Sequence, residues 1–416
     1  MSPAQPVGMP APGDGLIGSE SVQAGSGKPF SLYVHVPYCS VRCGYCDFNT
    51  YAQDDFGDGV NLNTFADEAI AELDFAHSVL QNSGAEITPL HSVFFGGGTP
   101  TRIPSTDLVR ILHHAVSLFG LSSHAEVTTE ANPDSVDEED IQILAEGGFT
   151  RISFGMQSAV PRVLKILDRT HTPDNVPKVV RWAQQAGLQT SVDLIYGAPG
   201  ETLAEWEQSL RAAVSYHPDH ISAYSLIVEE GTKMWARIRR GELDMPDDDA
   251  MADMYLLADR ILGEAGYQWY EVSNFSTDIS TRSTHNLAYW HNVNWWGIGP
   301  GAHSHWGGTR WWNVKHPLAY SQRIRQQISP AQACEVLTPN QQHFEDVMLR
   351  LRIREGMTVR ELQGQNQMSE DQLHQKIQWL EKQGLIEAVE PLNSRVVLTL
   401  KGRLLGDAVT RELLPE

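Results

Sequence analysis

A chain of 416 residues has room for one large domain and a smaller one, with enough apolar content to bury both cores. Its formal net charge of −21 argues against nonspecific binding to nucleic acid or anionic membrane. No apolar run approaches the length of a membrane span.

Residues 1–28 are rich in Pro, Gly, Ser and Ala, lack the basic start and apolar core of a signal peptide, and predict a disordered tail. With no secretion signal, the expected compartment is reducing and cytoplasmic. Leu32 to Val36 alternates and predicts a strand that ends where Pro37 opens a loop. That loop carries Cys39, Cys43 and Cys46 in C-x3-C-x2-C spacing, three of the chain's four cysteines. Three thiolates on one loop can converge on one inorganic centre. They leave a [4Fe–4S] cluster one ligand short, so one iron stays open to a small molecule. A disulfide fits poorly, because an odd cysteine remains and the spacing is tight for bridge geometry. Zinc stays open with His35 as a fourth ligand, although structural zinc sites usually pair two cysteines with a second pair elsewhere.

Residues 63–82 place Phe65, Ala69, Leu73, Ala76 and Leu80 at helical period. His91–Phe95 is a strand of buried type, followed by Gly96-Gly97-Gly98-Thr99-Pro100, and Ser105 opens the next helix. The rhythm continues with a strand at Glu126–Glu130, a helix from about Ser135, a strand at Arg151–Gly155 and helices over 160–168 and 173–186. A strand at Thr190–Ile195, a helix over 202–215 and a strand at His220–Leu226 complete it. Such alternation means repeated βαβ units and a parallel sheet. The fold class is therefore α/β, a partial and open (β/α)6 barrel over residues 29–240. The cysteine loop, Gly96–Thr99, Glu130, Gln157 and Asp193 all fall near strand C-terminal ends, the edge where such sheets bind ligands.

Residues 241–330 break the rhythm and concentrate aromatics such as Tyr270, Trp295, Trp306 and Trp311. A polar stretch near 326–340, with the lone Cys334, predicts a linker. Residues 331–416 predict a small C-terminal α+β domain: a helix over 341–353, a helical pair over 358–382, and short strands at Leu385–Ala388 and Arg395–Leu400. The order resembles a winged-helix module, for which docking or a lid suits this surface better than DNA binding.

The triple glycine lets the main chain approach a ligand closely, or is a plain strand-to-helix turn; it lacks the lysine and spacing of a phosphate loop. Glu130 suits ribose hydroxyls or caps a helix. Arg169 and Asp193 suit the carboxylate and ammonium of an amino acid, or form a structural ion pair.

C-x3-C-x2-C with Tyr45 just before the last cysteine resembles the radical S-adenosylmethionine superfamily. The resemblance implies that S-adenosylmethionine chelates the open iron and that reduction cleaves it to a carbon radical. It assigns Gly97, Gly98 and Thr99 to the amino group of the nucleotide. It makes Glu130, Gln157, Arg169 and Asp193 ligand residues, with Tyr33, Tyr45 and Ile227 as further contacts. YVHVPYCSVRCGYCDFN, FFGGGTPT, ISFGMQS, VDLIYGAPGET, EVSNF and GIGPGAHS together resemble oxygen-independent coproporphyrinogen III oxidase and its relatives. Two departures stand out. Phe48 occupies the place of the oxidase's fourth cysteine, and a predicted tail replaces its long N-terminal segment with substrate residues.

Both departures fit the heme-chaperone relatives, whose H-N-x-x-Y-W signature is present as His285, Asn286, Leu287, Ala288, Tyr289 and Trp290. Imidazole is a good axial ligand for heme iron and aromatic faces pack on a porphyrin; without the resemblance, a histidine in a packed loop serves as well. Gly297, Gly299 and Gly301 lack a βαβ context and predict a turn near a ligand. The implied function is uptake of heme near His285 and delivery to acceptor cytochromes. The alternative is a radical enzyme acting on a tetrapyrrole.

Overall fold

The computed structural model describes residues 7–364, 368–389 and 395–414. The sequence FSLYVHV at Phe30–Val36 shows how the fold is encoded. Phe30, Leu32, Val34 and Val36 are fully buried in the core beneath the helices, while Tyr33 on the alternate face lines a cavity. The same period-two division recurs across the sheet. Val93, Val127, Ile152, Val192 and Ile221 join the core, and Phe94, Thr128, Ser153, Asp193 and Ser222 line the cavity. The outer face is covered by helices, and the inner face, unlike that of most parallel sheets, presents mostly polar side chains to a cavity.

In chain order the strands are β1 (Met9–Pro10), β2 (Phe30–Val36), β3 (Leu90–Gly97), β4 (Leu121–Ala131), β5 (Arg151–Gln157), β6 (Gln189–Tyr196) and β7 (His220–Ser225). They continue as β8 (Gln268–Glu271), β9 (Asn274–Ser276), β10 (Asn294–Ile298), β11 (His303–Trp306), β12 (Thr309–Asn313) and β13 (Ala331–Val336). Strands β2 to β7 lie side by side and parallel, in sequence order. Beyond β7 the sheet continues antiparallel through β9 and β8; beyond β2 it continues through β10, which is parallel, and then β11, β12, β13 and β1. The edges are β1 and β8, and among the described residues no pairing closes the sheet into a ring.

Helices cover the outer face. Phe65–Asn82, Ser105–Phe119 and Leu203–Ser215 match their expected positions closely. The helix expected from about Ser135 begins instead at Glu138, because Asp137 caps it by accepting from the Asp140 N–H at 2.9 Å.

Three expectations need correction. Residues 7–28, predicted as part of a disordered tail, are built into the fold. Met9 and Pro10 pair with Cys334 and Ala333, Ser19–Gly25 is a helix, and Ile17 is buried. A Cβ on Gly25 would stand 2.5 Å from the Trp306 indole nitrogen, so glycine lets that helix lie on the tryptophan. The linker expected near 326–340 contains β13, a polar strand of the main sheet, so the boundary drawn at residue 331 falls inside that sheet. The strand expected over Arg395–Leu400 is only Arg395–Val396 (β15), paired with Met357–Thr358 (β14), because Thr399 caps a helix from Leu400.

The C-terminal body begins with the helix Pro339–Arg350 and carries its own core around Val347, Leu373, Leu380 and Val409. Capping boxes at Thr338, Thr358 and Ser369 start its first three helices. Arg403 docks it on the barrel, 4.3 Å over the Trp269 ring and 2.8 Å from Asp259.

Candidate functional site

The cysteine loop is pinned at its root. The Cys39 N–H donates to the Tyr51 carbonyl at 2.9 Å, and the Tyr51 N–H donates to Pro37 at 2.8 Å. Asn49 Nδ2 donates to the Pro300 and Lys315 carbonyls, each at 2.9 Å, and the Asn49 backbone carbonyl accepts from His35 Nε2 at 2.9 Å. The triple glycine closes on the same root, with Gly98 and Thr99 N–H groups donating to Val36 and Tyr38 at 2.8 Å. A Cβ on Gly98 would stand 2.6 Å from the Tyr38 carbonyl, and one on Gly97, where φ is +108°, 2.5 Å from the His35 ring. The close approach these glycines permit is therefore to the end of the cysteine strand.

Each thiol has a polar neighbour: Thr99 Oγ1 lies 3.8 Å from Cys39 Sγ, Thr50 Oγ1 3.6 Å from Cys46 Sγ, and Arg169 Nη1 3.6 Å from Cys43 Sγ. Burial pushes the Cys39 thiol up to about 11 and raises that of Cys46. Among the described residues no three His, Cys, Asp or Glu side chains converge as they would around a single ion. The ring of His35, the fourth ligand a zinc site would need, is committed to Tyr33 and Asn49. A cube in which each thiolate binds its own iron fits this donor set better. The same cavity wall carries Arg169 Nε and both ring nitrogens of His171, buried without a partner. A polar occupant would satisfy them.

This first cavity, of about 330 Å³, brings together the three cysteines, Gly97, Gly98, Thr99, Glu130, Gln157, Arg169 and Asp193. Gln157 is held at φ +61°, and Arg169 Nη2 donates to the Gly155 carbonyl at 2.8 Å. Burial, reinforced by neighbouring Asp193, pushes the Glu130 carboxyl up to about 8, although the Gly97 N–H donates to it at 3.2 Å. Asp193 accepts from Ser153 Oγ at 2.9 Å, and burial raises it too. Among the described residues Arg169 and Asp193 form no ion pair within 4.0 Å, so the structural pairing left open by the sequence is not made.

A second cavity, of about 610 Å³, adjoins the first and shares Tyr45, Gly97, Glu130, Ser153, Gln157 and Asp193 with it. Its other walls include Tyr33, Ile227, His285, Asn286 and Tyr289. His285 is 1% exposed and stacks on Phe94 at 4.9 Å. Its Nδ1 lies 2.8 Å from Ser92 Oγ, and its Nε2 3.0 Å from Tyr289 Oη. Ser92 donates its single hydroxyl proton to Ser31 at 2.9 Å, so it accepts from Nδ1–H. The Nε2 lone pair then faces Tyr289, which donates to it. Burial lowers the imidazole to about 3, consistent with this neutral tautomer.

Trp290 is not brought to either cavity; it bonds to the buried Glu271 carboxylate. The Gly297–Gly301 run is not at a ligand cavity either. A Cβ on Gly301 would meet Asn49 Nδ2 at 2.6 Å, so the run braces the root of the cysteine loop. Phe48, 59% exposed, lines both cavities.

Three residues escaped the sequence reading. His171 is one. The others are Glu126 and Arg151, buried on the inner face of β4 and β5. Glu126 accepts the Thr284 and His285 N–H groups at 2.9 and 3.1 Å and so anchors the start of the helix Thr284–Trp290. A charged residue within a buried strand was the available signal.

Comparison with known proteins agrees with this geometry. The Radical SAM superfamily matches residues 33–213, and the HemN C-terminal domain matches residues 337–405. The chain is similar to the heme chaperone HemW of Mycobacterium tuberculosis, 42% identical over 93% of this chain and 95% of that protein. It is similar to HemW of Bacillus subtilis, 33% identical over 93% and 99% of the two. Among solved structures, coproporphyrinogen III oxidase (HemN) from Escherichia coli, a radical SAM enzyme, superposes with a TM-score of 0.78. That match covers 96% of this chain and 94% of the oxidase at 21% identity, which shows a common fold.

Proposed function

The chain belongs to the family of the heme chaperone HemW, within the Radical SAM superfamily, and from that premise we propose that it takes up heme beside His285 and delivers it to acceptor hemoproteins such as cytochromes, in the cytoplasm. The superfamily implies a [4Fe–4S] cluster and S-adenosylmethionine as cofactors. Cys39, Cys43 and Cys46 would hold the cluster. Gly97, Gly98, Thr99, Glu130, Gln157, Arg169 and Asp193 would hold the nucleotide, with Tyr33, Tyr45 and Ile227 beside it. When bound, the cluster supplies an electron and an open iron site to the sulfonium nucleotide.

The chain's own residues then have distinct tasks. Arg169 fixes a carboxylate with the donors that Gly155 and Cys43 leave free. Glu130, held protonated by burial at neutral pH, can donate a hydrogen bond to a hydroxyl. Ser92 holds His285 in the tautomer whose Nε2 can bind iron; rotation of the Tyr289 phenol exposes that lone pair. The observation that carries the proposal is the shared wall of the cysteine-lined cavity and the one beside His285, which includes Tyr45, Glu130, Gln157 and Asp193.

Heme titrated into the parent protein and His285→Ala, followed by absorbance, tests it. The variant is expected to lose affinity by about tenfold or more, as removal of an axial ligand should. Unchanged affinity would take His285 out of the site. The rival reading, an enzyme acting on a tetrapyrrole, predicts vinyl-bearing product from coproporphyrinogen III and S-adenosylmethionine under anaerobic conditions.

A further inference from the structure

We propose that Arg151 and Thr128 form a seat for one carboxylate of the tetrapyrrole, on the floor of the cavity that His285 walls. The inference rests on heme being the cargo, as proposed above, and adds the group that orients it. Arg151 opens β5, is 2% exposed, and is the only lysine or arginine lining that cavity among the described residues. Its Nη1 donates to the Thr281 carbonyl at 2.9 Å. The nearest carboxylate, Glu126, stands 4.0 Å away. Glu126 spends its oxygens on the helix that carries His285, accepting the Thr284 and His285 N–H groups and the Ser283 hydroxyl at 3.4 Å. The planar guanidinium has five N–H donors in a fork suited to a carboxylate, and Glu126 approaches it through a single contact at 4.0 Å.

Thr128 is the second, independent observation. It pairs in register with Arg151 across β4 and β5, lines the same cavity and is fully buried. Its hydroxyl has no hydrogen-bond partner. A buried hydroxyl left unmade in this way is destabilising, and a carboxylate oxygen on the guanidinium would accept from it. The neighbouring groups leave the position to these two: Ser191 and Tyr270 are taken up by His220, at 2.8 Å each. Heme carries two propionate carboxylates. With one guanidinium on the floor, one propionate is seated and the other faces the mouth, where Ile227 is 67% exposed. Neutral His285 at the iron and a cation at the propionate together fix both the position and the rotation of a flat ring.

The test titrates heme and its dimethyl ester, which lacks both carboxylates, into the full-length protein and into Arg151→Gln and Thr128→Val. The parent should prefer the diacid by about tenfold or more, the range of a charge-assisted hydrogen-bond pair. Arg151→Gln should weaken heme alone and erase the preference. Thr128→Val should reduce it several-fold, and it serves by itself if Arg151→Gln does not fold. Equal losses for heme and ester, or no loss, would overturn the seat. A parent that binds both equally overturns the seat and leaves the chaperone reading standing; a parent that binds neither removes both.

Discussion

The two adjoining cavities are built in opposite ways. Around the cysteines the main chain does the holding: Cys39, Gly98 and Thr99 N–H groups are bonded to carbonyls, and side chains are left open, with Arg169 Nε and both His171 nitrogens unpartnered. Around His285 side chains hold side chains: both imidazole nitrogens are engaged, Glu126 fixes the helix start, and Phe94 covers the ring. The first cavity has its main chain fixed and leaves polar side chains free for an occupant. The second is closed by bonds that must be exchanged, which suits cargo that arrives and leaves.

Removing the anchor should separate the two. Glu126→Ala strips the helix start of its acceptor and leaves Arg151 buried without its neighbouring charge, so it should destabilise the protein by about 3 kcal/mol or more. Chemical denaturation gives the loss, and iron content should remain that of the parent, since no cysteine contact depends on Glu126. Loss of iron as well would mean that the two regions are one cooperative unit.

An effect of similar size, confined to one pH window, arises where the cavities meet. In the nucleotide-free protein the Glu130 carboxyl sits at about 8 instead of 4.5. The native state therefore keeps a proton that the unfolded chain has lost between those values, and stability falls as pH rises through that window. Glu130→Gln should remove the loss, gaining about 4 kcal/mol on the parent by pH 8 and nothing below the unfolded value. A difference that does not change with pH would place the Glu130 carboxyl in an ordinary environment.

The cysteine half was legible in the sequence because its signals are local. C-x3-C-x2-C and the glycine run declare loops at strand ends, and alternation in FSLYVHV declares the strand beneath them. The other half depends on partners far along the chain. Glu126 acquires its role from residues 284 and 285, and Arg151 from the floor that strands β2 to β7 create. Residues 7–28 look disordered by composition and are ordered by distant partners: Met9 and Pro10 by Cys334 and Ala333, in a strand too polar to announce itself, and Gly25 by Trp306. Trp290 follows Tyr289 in the signature, yet one helical step of about 100° turns it away, toward Glu271.

The account turns on cluster and cargo sharing one space. The most direct measurement is the electron paramagnetic resonance signal of the reduced, reconstituted protein with S-adenosylmethionine, recorded before and after one equivalent of heme. A shared space predicts that heme changes the cluster signal in the parent and leaves it unchanged in His285→Ala. A cluster signal that superimposes with and without bound heme in the parent would contradict it.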